Sequence, residues 1–71
     1  MYFVFRVWFD QNGTQANSIQ KFDTLIQAQK RFWNILAADA DSADVQYELV
    51  QVVDNNGNCY ANQVFDNRVA G

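Results

Sequence analysis

The sequence predicts an α+β domain of ββαββ order, in which a four-stranded sheet carries one helix on one face. Two observations lead to this prediction. The motif Asp-x-Asn-Gly follows an apolar run twice, and an uninterrupted stretch with helical spacing separates the two copies. Asn-Gly supplies the positive φ that a tight turn requires, so each copy marks a hairpin. We therefore expect one domain made of a hairpin (residues 2–22), a helix (24–39), a hairpin (43–66) and a frayed tail (67–71).

The first strand, residues 2–9, is rich in aromatic and β-branched residues and is apolar on both faces. A strand of this kind is usually central in its sheet, whereas the polar return strand, residues 14–22, suits an edge. We expect the odd-numbered residues of the first strand to face the helix and the even-numbered residues to lie on the opposite face. The odd set is Phe3, Phe5, Val7 and Phe9, and the even set is Tyr2, Val4, Arg6 and Trp8.

The helix has a clear start signal. Thr24 is a good N-cap, and Gln27 three residues later completes a capping box. Apolar residues then recur at the spacing of a single helical face. These residues are Leu25, Ala28, Phe32, Ile35 and Leu36. Trp33 lies at the margin of this stripe, and we expect it to pack in the core.

The second hairpin joins strands 43–53 and 58–65. A type I turn with a bulge at residues 54–57 would pair Val53 with Cys59 and Leu49 with Gln63, whereas a two-residue turn would exchange the faces of the last strand. In the first register Cys59 faces the helix, and burial is the usual state of an unpaired cysteine. That register puts Val45, Tyr47, Leu49, Val53, Cys59, Ala61 and Phe65 on one face and Val50, Val52, Tyr60 and Val64 on the other.

The composition excludes several classes of function. The 71 residues have a net charge of −3, so the sequence lacks the basic footprint of a nucleic-acid binder. With no His, one Cys and three scattered Gly, it lacks the commonest general base, a zinc ligand set and a phosphate loop. We expect no enzymatic activity, no cofactor and no structural metal.

No segment is apolar for long enough to be a signal sequence or a membrane span, and a lone Cys suits a reducing compartment, so we expect a cytoplasmic protein that does not bind membranes. A domain of this size buries only about 60% of its unfolded surface. Without a disulfide or a metal, good packing or self-association must supply the remaining stability.

The acidic segment after the helix is a candidate for a weak cation site. Asp39, Asp41 and Asp44 begin a run that opens like a calcium loop. The run then departs from that pattern, because Ala43 stands at the fifth position and Asp44 stands where glycine is needed. A solvated loop is the alternative interpretation, and a calcium-responsive domain is one alternative function.

The even face of the first strand predicts an interaction surface, because one helix cannot cover both faces of a four-stranded sheet. An uncovered apolar patch on a soluble protein usually marks an interface. Strong coiling of the sheet, or a tail folded across it, is the alternative. The predicted surface consists of Tyr2, Val4, Arg6, Trp8, Val50, Val52, Tyr60 and Val64.

The function predicted from this surface is a non-enzymatic interaction module that binds a second copy of itself, as a homodimer, or another protein. The same features fit an accessory or inhibitor protein that is encoded by a mobile genetic element and binds a larger host protein. An alternative of another class is a single-stranded nucleic-acid binder that stacks bases on Trp8, Tyr2 and Tyr60, although the negative charge makes nucleic acid an unfavourable partner.

The layout resembles the immunoglobulin-binding domains of protein G and protein L. Residues 9–15 resemble the first turn of protein L, and Phe22, Thr24 and Ala28 fall where that family enters its helix. The resemblance implies a β-grasp-like sheet, in which the first and last strands are parallel neighbours at the centre. The antibody contacts of that family are not carried over, because they do not match residue by residue.

Overall fold

The computed structural model describes residues 1–40 and 44–66. The predicted frayed tail, residues 67–71, lies outside the described residues, as does Asp41. The fold belongs to the α+β class, with four antiparallel strands and one helix. In chain order the elements are β1 (Tyr2–Asp10), β2 (Gln15–Phe22), α1 (Leu25–Asp39), β3 (Val45–Asp54) and β4 (Cys59–Asp66).

The sheet has the strand order β2-β1-β3-β4, and each pair of neighbours is antiparallel. The central position predicted for β1 and the edge position predicted for β2 are both confirmed. The β-grasp-like arrangement is wrong for this chain, because β1 pairs with β3 and β4 lies at the far edge. Strands β2 and β3 are both antiparallel to β1 and therefore parallel to each other, and α1 supplies the long crossover that parallel strands need.

The helix packs on the face of the sheet formed by the even-numbered residues of β1, which we call the helix face. The core consists of Val4, Val50 and Val52 from the sheet and Ala28, Phe32 and Ile35 from α1. The prediction that the odd-numbered residues face the helix is therefore wrong. Because β1 and β3 are apolar on both faces, their alternation did not determine which face the helix covers.

The predicted Thr24 N-cap and the apolar stripe of the helix are confirmed, whereas the predicted packing of Trp33 in the core is wrong. The Thr24 side chain accepts a hydrogen bond from the Gln27 N–H, which caps the first turn. Ala28, Phe32 and Ile35 are buried, and Leu25 and Leu36 pack against them. Trp33 is 65% exposed instead of buried, with its ring edge-on to Phe32 at 5.2 Å between centroids.

The first Asp-x-Asn-Gly turn is held by one carboxylate. Oδ1 of Asp10 accepts hydrogen bonds from the N–H groups of Asn12 and Thr14, at 2.8 and 2.9 Å. The Asp10 carbonyl accepts from the Gly13 N–H at 3.0 Å, and Gly13 has a φ of +79°. The aspartate and the glycine are thus required together by the turn, which explains their pairing in the sequence.

The second turn repeats this geometry and extends it. Oδ1 of Asp54 accepts from the N–H groups of Asn56 and Asn58, and Gly57 has a φ of +86°. Oδ2 accepts in addition from the Asn58 amide and from the Tyr60 hydroxyl, at 2.9 and 2.8 Å. The hydrogen bonds from Asn58 hold the pKa of Asp54 well below its usual range, and the bond to Asp54 raises the pKa of Tyr60.

A bulge decides the faces of β4. Val53 pairs with Cys59 as predicted, but the register then shifts by one residue, so that Leu49 pairs with Val64 instead of Gln63. Tyr60 is the extra residue of this bulge and has no pairing partner on β3. Cys59 is exposed, contrary to the expectation that it is buried.

Candidate interaction surface

The face of the sheet opposite α1, here called the open face, is apolar over most of its extent. No element among residues 1–40 and 44–66 packs on it. The strand registers place nine apolar side chains there. They are Phe3, Phe5, Val7 and Phe9 of β1, Ile19 of β2, Tyr47, Leu49 and Val53 of β3, and Val64 of β4.

The central strands contribute no charge to the open face. Its charged positions are Lys21 on β2 and Asp66 on β4, in the two outer strands. The rings of Phe9 and Tyr47 meet edge to face, with centroids 5.7 Å apart. Ile19 remains 62% exposed and Val64 43% exposed. Aromatic residues with few central charges are the composition of an interface core.

A shallow cleft of about 350 Å³ lies within the open face. Phe3, Phe5, Ile19 and Val53 line it, and Gln51 is its one polar member. The Gln51 amide donates a hydrogen bond to the Asn62 side chain at 3.2 Å. The cleft therefore suits an apolar side chain from a binding partner.

The interaction surface predicted from the sequence does not form an open face. Val4, Val50 and Val52 lie beneath the helix and are at most 1% exposed. Tyr2 packs against that core, and Val64 alone of the eight predicted residues belongs to the open face. The single helix does leave one apolar face of the sheet uncovered by any described element, but this is the face opposite to the predicted one.

The predicted stacking platform is not assembled either. Trp8 lies on the helix face, with the Arg6 guanidinium 3.8 Å from its ring centroid. Tyr2 and Tyr60 meet edge to face at 5.7 Å, and the Tyr60 hydroxyl is held by Asp54. Trp8 is thus paired with a cation and Tyr2 with Tyr60, while Tyr60 remains 45% exposed.

A charged cluster joins the end of α1 to the helix face. Arg6 Nε donates to Oε2 of Glu48 at 2.6 Å, and Arg6 Nη2 donates to Oδ2 of Asp39. Glu48 is completely buried, and its Oε1 has no hydrogen-bond partner among the residues that the structure describes. The sequence pattern predicts Arg6 on an open surface and does not reveal this cluster, because the pairing of Arg6 with Glu48 depends on β1 and β3 being neighbours.

Burial raises the pKa of Glu48 to about 7, and the nearby Asp39 carboxyl acts in the same direction. The Arg6 guanidinium opposes this shift, because it favours the ionised carboxylate. Perturbed carboxyls often mark active sites. Here the carboxyl is closed off from solvent beneath the helix, so its protonation state is coupled to the stability of the fold.

The predicted cation site receives little support from its described members. Asp39 is engaged by Arg6, Asp41 lies outside the described residues, and Asp44 is exposed. Within residues 1–40 and 44–66, no three acidic, cysteine or histidine side chains are close enough to hold a metal ion.

Within residues 1–40 and 44–66, no helix combines the length and the apolar character that a membrane crossing requires.

No protein-family model, curated protein or solved structure matches this sequence. A functional hypothesis for this chain therefore rests on its own geometry. The feature that stands out among the described residues is the apolar open face.

Proposed function

We propose that the protein is a non-enzymatic interaction module that binds through its open face, and that its partner is a second copy of the same chain. The observation that carries the proposal is the set of nine apolar side chains that no described element covers. Burying such a face is favourable by roughly 25 cal/mol per Å² of apolar surface.

The size of the open face suits a dimer. Its four strands have at least eight residues each. At about 3.3 Å per residue and about 4.8 Å between strands, the face measures roughly 27 Å by 19 Å, or about 500 Å². Treated as flat, the faces of two copies together would bury about 1,000 Å², and the relief of the side chains adds to this area. The value reaches the lower limit of roughly 1,000 Å² for a specific interface.

The charge pattern also favours a second copy. A partner with a charged face would lose hydration against the uncharged central strands without gaining an ion pair. A second copy brings an equally uncharged centre, and the two sheets can pack about 10 Å apart with their apolar side chains interdigitated. Lys21 and Asp66 then lie in the outer strands, where a polar rim is expected.

The proposal predicts that Phe5→Glu abolishes self-association, because Phe5 lies on a central strand of the open face. Light scattering on a size-exclusion column, across a concentration series, should give a dimer mass for the native chain and a monomer mass for the variant. Ile19→Lys is a second test, since Ile19 is already 62% exposed and its replacement disturbs the fold little.

Ile26→Glu is the matched control. Ile26 is 78% exposed on the helix, so the substitution removes an apolar side chain and adds the same charge away from the open face. This variant should keep the dimer mass. A native chain that is monomeric at every concentration would contradict self-association and leave a different protein, such as the host target of an accessory or inhibitor protein, as the occupant of the face.

A further inference from the structure

The basic side chains of this acidic protein are gathered in one place. A cleft of about 570 Å³ lies between the end of β2 and one flank of α1. It is lined by Lys21, Asp23, Gln27, Lys30, Arg31 and Asn34. Apart from Arg6, every basic residue in the described part of the chain lines this cleft.

The helical spacing and the strand edge bring these groups together. Gln27, Lys30, Arg31 and Asn34 are separated by three, one and three residues, so they form one stripe along α1. The Nε of Arg31 donates to Oε1 of Gln20 on β2 at 2.7 Å, which holds this flank of the helix close to the edge strand. The other guanidinium nitrogens of Arg31 keep donors for a ligand.

The cations of the cleft are not neutralised by the protein. Lys21, Lys30 and Arg31 form no ion pair within residues 1–40 and 44–66, where the ion pairs belong to Arg6. Asp23 is the one acidic residue that lines the cleft, so its formal charge is about +2.

We infer that this cleft is an anion-binding site that takes a phosphomonoester group. Charge complementarity favours this ligand, because a phosphomonoester carries about −1.5 to −2 at neutral pH and offers three acceptor oxygens. The Arg31 guanidinium presents a planar pair of donors to such oxygens, and the lysines act as mobile point charges. Lys30 and Arg31 lie on the helix, away from the open face, whereas Lys21 also borders that face in the strand register. The inference does not require the proposed dimerisation.

Phenyl phosphate is the probe, and phenyl sulfate, which has the same shape but a single charge, is its comparison. Titration should move the backbone amide NMR signals of residues 21–34 in a saturable way with millimolar phenyl phosphate at low salt, and phenyl sulfate should bind several-fold more weakly. Absence of saturable shifts, or equal affinity for both compounds, would overturn the inference.

Two substitutions with opposite signs test the site itself. Lys30→Gln should weaken binding of phenyl phosphate about five- to tenfold, because it removes one of three cations, whereas Asp23→Asn should tighten it. Gln11→Glu, in the exposed first turn, changes the net charge by the same amount as Lys30→Gln and should leave the affinity unchanged. If Gln11→Glu weakens binding as much as Lys30→Gln does, the attraction is a property of net charge and the cleft is not a site.

Discussion

Glu48 shows how a single buried carboxyl is accommodated in this small core. One oxygen receives the Arg6 hydrogen bond, and the other has no partner among the described residues. A buried acceptor left unpaired costs free energy, and ionisation of the carboxyl increases that cost. Burial therefore raises the pKa of Glu48 to about 7, from an ordinary value of 4.5.

This shift predicts a fall in stability as the pH rises. The folded state holds the Glu48 proton more tightly than the unfolded state, so the contribution of Glu48 is complete below pH 4.5 and is lost as the pH passes about 7. Urea unfolding at pH 5 and pH 8 should give a decrease on the order of 1–3 kcal/mol for the native chain.

Glu48→Gln should reduce the difference in the free energy of unfolding between pH 5 and pH 8, because an amide of nearly the same shape does not titrate. Asp23→Asn serves as a control that removes an exposed carboxyl, and it should leave the difference unchanged. An equal decrease between the two pH values in Glu48→Gln and in the native chain would show that other groups cause it.

At the scale of elements, the two Asp-x-Asn-Gly turns are the most regular feature of the chain. In each turn one aspartate oxygen accepts two backbone N–H groups, and a glycine with positive φ directs the chain into the next strand. In the second turn, Asn58 and Tyr60 also donate to Asp54, so this turn is tied to the start of β4 as well.

The glycine requirement of the second turn can be tested by substitution. Apart from Gly57 and its two chain neighbours, no atom lies within 4 Å of the place where a Cβ on Gly57 would stand, so the cost of Gly57→Ala is backbone strain. We expect a loss of about 1–2 kcal/mol in the free energy of unfolding. Gly57→Asn should cost less, because asparagine tolerates the left-handed region better. Equal stability of the alanine variant and the native chain would contradict this account.

At the scale of the whole molecule, the fold consists of two layers, which are the four-stranded sheet and the single helix. The helix face is closed by α1, and the open face keeps its apolar side chains in contact with solvent within the described structure. Such an arrangement gains stability by placing a second layer on the sheet, which is the physical basis of the proposed dimer.

A dimer also predicts that the thermal midpoint depends on protein concentration, because association stabilises only the folded chain. Differential scanning calorimetry should show the midpoint of the native chain rising with concentration. Ile19→Lys, which places a charge on the open face, should give a midpoint that is independent of concentration. The same rise in both chains would mean that they associate through another surface.

Local signals in the sequence determined the elements of this protein. The two turns, the Thr24 cap and the helical stripe all act over a few residues, and each of these predictions is confirmed. The apolar character of both faces of β1 also predicted its central place. From that character alone, an uncovered apolar face on one side of the sheet could be anticipated.

Long-range strand pairing determines which face of the sheet remains uncovered. Phe3 and Phe5 are as apolar as Val4, so the alternation permits either face to meet the helix. The choice depends on β3 lying beside β1, which puts Val50 and Val52 next to Val4 and pairs Glu48 with Arg6. These contacts join residues more than 40 positions apart, and no pattern that acts over a few residues specifies such pairings.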